Sequence, residues 1–115
     1  MMNKKFLALG HLKTGERNKL EASYEQHLEL RKQAGEILWY KFEGMTFKLA
    51  KDTRYTPDFS VLLENGEMEI HEVKGTFRDD AKVKIKVASE LYPFRFVAVY
   101  ALSKKEGGGF RYEEF

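Results

Sequence analysis

Tyr55-Thr56-Pro57-Asp58-Phe59-Ser60-Val61-Leu62-Leu63-Glu64-Asn65-Gly66-Glu67-Met68-Glu69-Ile70-His71-Glu72-Val73-Lys74-Gly75 is the stretch on which the fold turns. Two runs of strand-forming residues, Phe59 to Leu63 and Met68 to Val73, flank Asn65-Gly66, and Asn-Gly between extended runs is the strongest short hairpin signal. Pro57 fixes its own φ and drives Thr56 towards an extended conformation, so Asp58 enters the first strand rigidly held. Side chains alternate along a strand. Glu72 and Lys74 therefore share one face of the second strand, while His71 and Val73 take the other. Closing the hairpin brings Asp58 alongside, and two carboxylates and an ammonium crowd one edge of a sheet.

Such crowding calls for a compensating charge. Neighbouring carboxylates repel, and each has its pKa raised unless a cation lies between them. Hard oxygen ligands suit Mg²⁺ or Mn²⁺, which bind one or two carboxylates, waters and phosphate oxygens. The ion would polarise a phosphate and activate a water, with the lysine orienting that water or neutralising developing charge. A helix upstream adds Glu21, Glu25 and Glu29 along one flank of its apolar stripe. Glu25, nearest the middle, is the expected third carboxylate. Taken singly, each feature has an ordinary meaning: Pro-Asp marks turns, Glu-x-Lys lies on wet strand faces, and glutamates line helix surfaces.

Outward from the hairpin, Asn18 with Glu21 three residues on forms a capping box, and Leu20, Tyr24 and Leu28 recur at helical spacing up to Gly35. The pattern predicts a helix over about 19–34. Ile37 to Phe42 and Met45 to Leu49 read as two strands around a Glu43-Gly44 turn. Asp79-Asp80 opens a second helix reaching Tyr92, which Pro93 ends, and Phe94 to Leu102 reads as a last strand covered on both faces. Residues 1–17 read as a short strand or arm, and 104–115, with Gly107-Gly108-Gly109, as a tail or short final strand. The order helix, three or four strands, helix, strand predicts an α/β fold with a mixed sheet flanked by two helices.

The 115 residues, 43% hydrophobic with sixteen aromatic side chains (one Trp, six Tyr, nine Phe), suit one domain with one core. Charged residues are 33% of the chain but the net charge is only +2, which names no partner. With no cysteine, thiolate metal sites and a cysteine nucleophile are excluded. No apolar run reaches membrane-spanning length, and Met1 to Gly10 lacks the features of a secretory signal, so a cytoplasmic protein is expected. On the second helix Lys84 falls among Val87, Ala88 and Leu91, where a lysine snorkels out or points at the site. Arg54, Arg78, Lys82, Lys84 and Lys86, with Lys48 and Lys51, are candidates to meet phosphates. His71 is expected to be structural, and at least one of Trp39 and Tyr40 to belong to the core.

Ser23-Tyr24-Glu25, Tyr55-Thr56-Pro57-Asp58-Phe59 and Glu72-Val73-Lys74-Gly75 together resemble the PD-(D/E)XK nuclease superfamily, over about residues 20–100. Within it the chain is similar to small phage endonucleases of the Holliday-junction-resolvase kind. The resemblance implies a restriction-endonuclease-like core and a Mg²⁺- or Mn²⁺-dependent DNA endonuclease with catalytic Glu25, Asp58, Glu72 and Lys74. It implies Glu25, Asp58, Glu72 and the Val73 carbonyl as metal ligands, a homodimer, and branched DNA in recombination, replication or packaging inside a phage-carrying bacterial host. Two alternatives stay open: a non-catalytic nucleic-acid-binding module on the same fold, and an RNA-cutting enzyme, since nothing in the sequence reads a 2′-hydroxyl.

Overall fold

A computed structural model of the chain describes residues 16–75 and 79–115. The expected arm over 1–17 falls almost wholly outside them, as does Arg78. Helix α1 (Lys19–Gln33) starts at Asn18, whose side chain accepts the Glu21 N–H at 2.8 Å while the Glu21 carboxylate accepts the Asn18 N–H at 2.9 Å. Strand β1 (Ile37–Phe42) follows, then the short strands β2 (Phe47–Ala50) and β3 (Thr53–Tyr55), then β4 (Phe59–Leu63) and β5 (Met68–Lys74). Helix α2 (Asp79–Leu91) crosses to β6 (Arg95–Ala101), and β7 (Phe110–Glu114) closes the order.

The main sheet runs β1-β4-β5-β6-β7. Only β5 and β6 are parallel, joined through α2; the other neighbours are antiparallel, so the sheet is mixed. The β4–β5 turn is a three-residue loop. Gly66 donates to the Leu63 carbonyl at 3.0 Å and takes φ +92, a conformation that favours glycine, while Leu63 donates to the Glu67 carbonyl at 2.8 Å. The Asn65 carbonyl oxygen accepts the Glu67 N–H at 2.9 Å and locks the turn. This turn fixes the register that pairs Phe59 with His71 and Ser60 with Ile70.

Two apolar layers sandwich the sheet. On one face α1 buries Tyr24 and Leu28 against Phe59, Val61, Val73 and Val99. On the other, Ile70 and Phe96 meet Ile85 and Ala88 of α2 and Phe47 and Tyr55 of the β2–β3 pair. No helix among the described residues is long and apolar enough to cross a membrane.

Two expectations change, and one choice is settled. β1 and β2 are not partners: β1 pairs with β4, and β2 with β3 in a separate two-stranded sheet. Glu43 at φ +50 turns the chain off the main sheet and donates its N–H to the Asp58 carbonyl at 2.7 Å, freeing Phe47 to bury against α2. β3 went unread because three residues are too few for an alternation to register. Of the two readings of residues 104–115 the short final strand holds: Ser103 caps a 3-10 turn over Lys104–Glu106, and β7 pairs along β6. What holds β7 is the Phe110 ring, packed edge-on to Tyr24 at 5.0 Å, a contact invisible to local pattern.

Candidate active site

Because β4 and β5 run antiparallel, the start of β4 and the end of β5 meet at one end of the sheet. Asp58 and Glu72 are both buried there, with Lys74 half-buried beside them. Asp58 Oδ2 accepts the Val73 N–H at 2.8 Å. A residue's N–H and C=O point to the same side of an extended strand, so the Val73 carbonyl is directed to the side on which Asp58 lies. Glu72 is held from two directions. Tyr55 donates its hydroxyl to Oε1 at 2.8 Å, and Lys74 Nζ lies 3.1 Å from Oε2.

Burial, and then the charge of Glu72, push the Asp58 carboxyl well above the ordinary carboxylate range; the Val73 N–H opposes the rise only in part. Burial alone would lower the Lys74 ammonium. The charge and hydrogen bond of Glu72 outweigh it, with help from Asp58 and Glu21, and Lys74 keeps its proton above the ordinary lysine value. Burial and the adjacent Glu72 raise the Tyr55 phenol far out of reach of titration, so it acts only as a donor.

The helix carboxylate at this end is Glu21. Its carboxylate helps to raise both the Asp58 carboxyl and the Lys74 ammonium. Glu25, the expected residue, is one turn further on and is not brought into the cluster: its two oxygens take the Arg17 guanidinium, one of them at 3.1 Å. Glu29 is further still, accepting the Tyr40 hydroxyl at 2.6 Å. The capping box disguised Glu21, because a helix-start glutamate already has a local purpose. Tyr55 was quoted with the Pro-Asp motif but given no task, and only the β2–β3 fold reveals one.

A cleft of about 240 Å³ opens beside Glu72 and Lys74, and Arg54, Thr56, Asp80 and Lys84 also line it. Lys84 is therefore exposed at the cleft rather than inside an apolar stripe. The stripe of α2 that packs inward is centred on Ile85 and Ala88, leaving Val83 and Leu91 mostly exposed. Arg54 and Lys84 reach the cleft; Lys82 and Lys86 do not line it.

His71 is buried on the opposite face, as expected. Its Nδ1 lies 2.7 Å from the Tyr24 hydroxyl and its Nε2 2.9 Å from Glu69, which also takes Arg95 at 3.0 Å. The His71 bond holds the Glu69 carboxyl below its usual range, with Arg95 assisting. An ionised Glu69 can only accept, so in the neutral imidazole Nε2 carries the proton and Tyr24 donates to Nδ1.

Among the described residues no three acidic or histidine side chains converge as a ready-made metal cage. The donor chemistry nonetheless fits a hard cation. Asp58, Glu72 and the Val73 carbonyl are oxygen donors, and the raised Asp58 carboxyl marks a pair that cannot comfortably hold two charges unaided. Mg²⁺ commonly takes one or two carboxylates and completes its shell with waters and phosphate oxygens.

The class so defined is an α/β domain with a mixed sheet, whose central hairpin carries a buried carboxylate pair and a protonated lysine. The chain belongs to the family described as protein of unknown function (DUF1064), whose model matches residues 14–105. No curated protein and no solved structure matches it.

Proposed function

We propose that this protein is a metal-dependent DNA endonuclease with a restriction-endonuclease-like core of the PD-(D/E)XK type. One observation carries the reading: Asp58, Glu72 and Lys74 meet at one end of the β4–β5 hairpin, with Glu21 of α1 against Asp58. Asp58, Glu72 and the Val73 carbonyl would hold the cation, which when bound supplies neutralisation of the phosphate charge. Tyr55 and Lys74 fix the two oxygens of Glu72, and the Val73 N–H fixes Asp58, so the carboxylates are set before substrate arrives. Lys74 retains its proton and donates to the attacking water or to a phosphate oxygen as charge builds. That water attacks phosphorus, and one ester oxygen leaves with a proton. Arg54 and Lys84 at the cleft meet flanking phosphates. The reading extends to branched DNA cut by a homodimer in the cytoplasm of a phage-carrying host.

The direct test offers the purified protein labelled four-way junction, flap, duplex and single strand, with Mg²⁺, Mn²⁺ or EDTA. Metal-dependent cutting of any DNA supports the nuclease; none with either metal overturns it. Lys74→Ala is expected to slow cutting about 10²-fold while Mn²⁺ titration by calorimetry changes little. Metal affinity collapsing along with the rate would make Lys74 a clamp for the carboxylates instead.

Glu21→Gln separates the helix carboxylates. Glutamine at this position still supports the capping box, so the melt should match wild type while cutting falls tenfold or more, within the ~10–100-fold seen for groups that support a metal site. Glu25→Gln loses only an exposed ion pair with Arg17, worth ~1 kcal/mol at most, and should cut normally. The reverse order of effects would restore Glu25 to the site.

A further inference from the structure

Beyond the catalytic cleft the surface between α2 and the β2–β3 pair carries a row of depressions, each sharing wall residues with the next, that outlines a channel. The cleft, lined by Asp80 and Lys84 among others, opens past the same two residues into a groove of about 430 Å³ floored by Leu49, Ala50, Val83 and Val87. Leu49 and Ala50 are shared in turn with a third depression, of about 370 Å³, ending at Leu91 and Tyr92 and flanked by Lys48 and Lys51. From Asp80 to Leu91 the helix rises ~17 Å.

Floor and rim differ in kind. The floor is aliphatic and open to solvent, Val83 being 58% exposed. The rim carries Lys48, Lys51, Arg54 and Lys84, and among the described residues none of these is in an ion pair. Past the cleft, Asp80 is the one carboxylate on the walls among the described residues. Tyr92 ends the channel with its hydroxyl committed to the Lys48 carbonyl at 2.6 Å, which fixes the ring in place.

We infer that this channel carries an unpaired DNA strand away from the cutting centre, so that the substrate has a single-stranded arm at the scissile phosphate. The inference rests on the nuclease reading of Asp58, Glu72 and Lys74. Duplex DNA hides its base faces in the stack, so the rim could meet its phosphates while the aliphatic floor gained no partner. A single strand can lay base faces on the aliphatic floor and against the Tyr92 ring at its end, with phosphates on the basic rim. The length suits about five nucleotides, at ~3.4 Å each when stacked.

The test measures binding in EDTA, where cutting cannot intervene, by anisotropy of fluorescein-labelled single strand, flap duplex and blunt duplex. Single strand and flap should bind more tightly than blunt duplex. Val83→Glu, an exposed change that leaves the core alone, should weaken both by about tenfold, the loss of roughly one stacked base. Val83→Gln should weaken them less, and blunt duplex should respond weakly to either. An iodouracil placed about five nucleotides along the single-stranded arm from the scissile phosphate should cross-link to Tyr92 or its neighbours. Equal binding of blunt duplex, or single-strand binding indifferent to Val83→Glu, overturns the channel while metal-dependent cutting can still stand. Val83-sensitive single-strand binding without cutting of any DNA keeps the channel and removes the nuclease. A dimer in sedimentation that Val83→Glu splits would make the groove a contact between copies and overturn the inference. Tighter binding of a matched RNA strand would overturn the assignment to DNA.

Discussion

Asp58→Asn is expected to lower cutting by at least about 10³-fold and, in the absence of metal, to raise the melting temperature. The first effect follows from removing a charge whose work is to hold a cation: several kcal/mol of transition-state stabilisation correspond to about three powers of ten or more. The second follows from the same burial. Asparagine keeps an oxygen for the Val73 N–H but brings no negative charge beside Glu72. A gain on the order of 1–2 kcal/mol at neutral pH would move the midpoint by roughly 5–10 °C.

The pH dependence has a definite sign. A carboxyl whose folded pKa lies above its unfolded value makes the folded state bind more protons, so the wild type loses stability as pH rises from the ordinary aspartate value, ~3.9, towards the raised one. The gap between variant and wild type should be wide at pH 7 and close as pH falls to about 4. Adding Mn²⁺ should lift the wild-type midpoint and leave the variant nearly unmoved. A metal-free variant that melts below wild type at pH 7, or still cuts with Mg²⁺, would refute the assignment of Asp58.

The largest loss of stability is expected at the next residue. Phe59 is fully buried and packs edge-on to Tyr24 at 5.8 Å and to Phe42 at 5.3 Å, joining α1, β1 and β4. Phe59→Ala should cost about 3–5 kcal/mol through lost burial and an unfilled cavity. Domains of this size hold about 5–15 kcal/mol in all, so the variant should be close to unfolding at growth temperature. Urea denaturation with an unchanged m-value and a much lower midpoint would match. A loss below about 1.5 kcal/mol would mean that the core around Tyr24 closes over the gap.

How much was legible in the sequence depended on whether the signal was local. The β4–β5 hairpin was, because Asn65, Gly66 and the alternation of Glu72 and Lys74 act within a few residues. So was α1, whose cap and stop are both short-range. The pairing of β1 was not, since its partner β4 lies beyond an inserted pair of strands and adjacency in sequence favoured β2. The choice between Glu21 and Glu25 was also beyond reach. Both flank the same apolar stripe, and which one meets Asp58 depends on how α1 is set against the sheet. Which of its two expected settings Lys84 takes was open for a related reason: α2 has two overlapping apolar stripes, and only packing decides that Ile85 and Ala88 face inward and Lys84 lines the cleft.

The chain of bonds from Tyr24 through His71 to Glu69 and Arg95 never touches the cutting end, yet it guards the alignment on which that end depends. If β5 slid by two residues along β4, every side chain would keep its inward or outward direction, and hydrophobicity alone would barely object. Asp58 would then face the wrong part of β5, and the pairing of its carboxyl with Glu72 proposed to hold a cation would be lost. Such a slide strands the Tyr24 hydroxyl in the core and takes from the His71 Nδ1 its donor, and an unmet buried polar group costs ~1–3 kcal/mol. The network thus works as a proofreader of strand alignment. Substitutions in it should yield a fraction of folded but inactive molecules, a loss visible as a lower count of competent sites rather than as slower turnover at each.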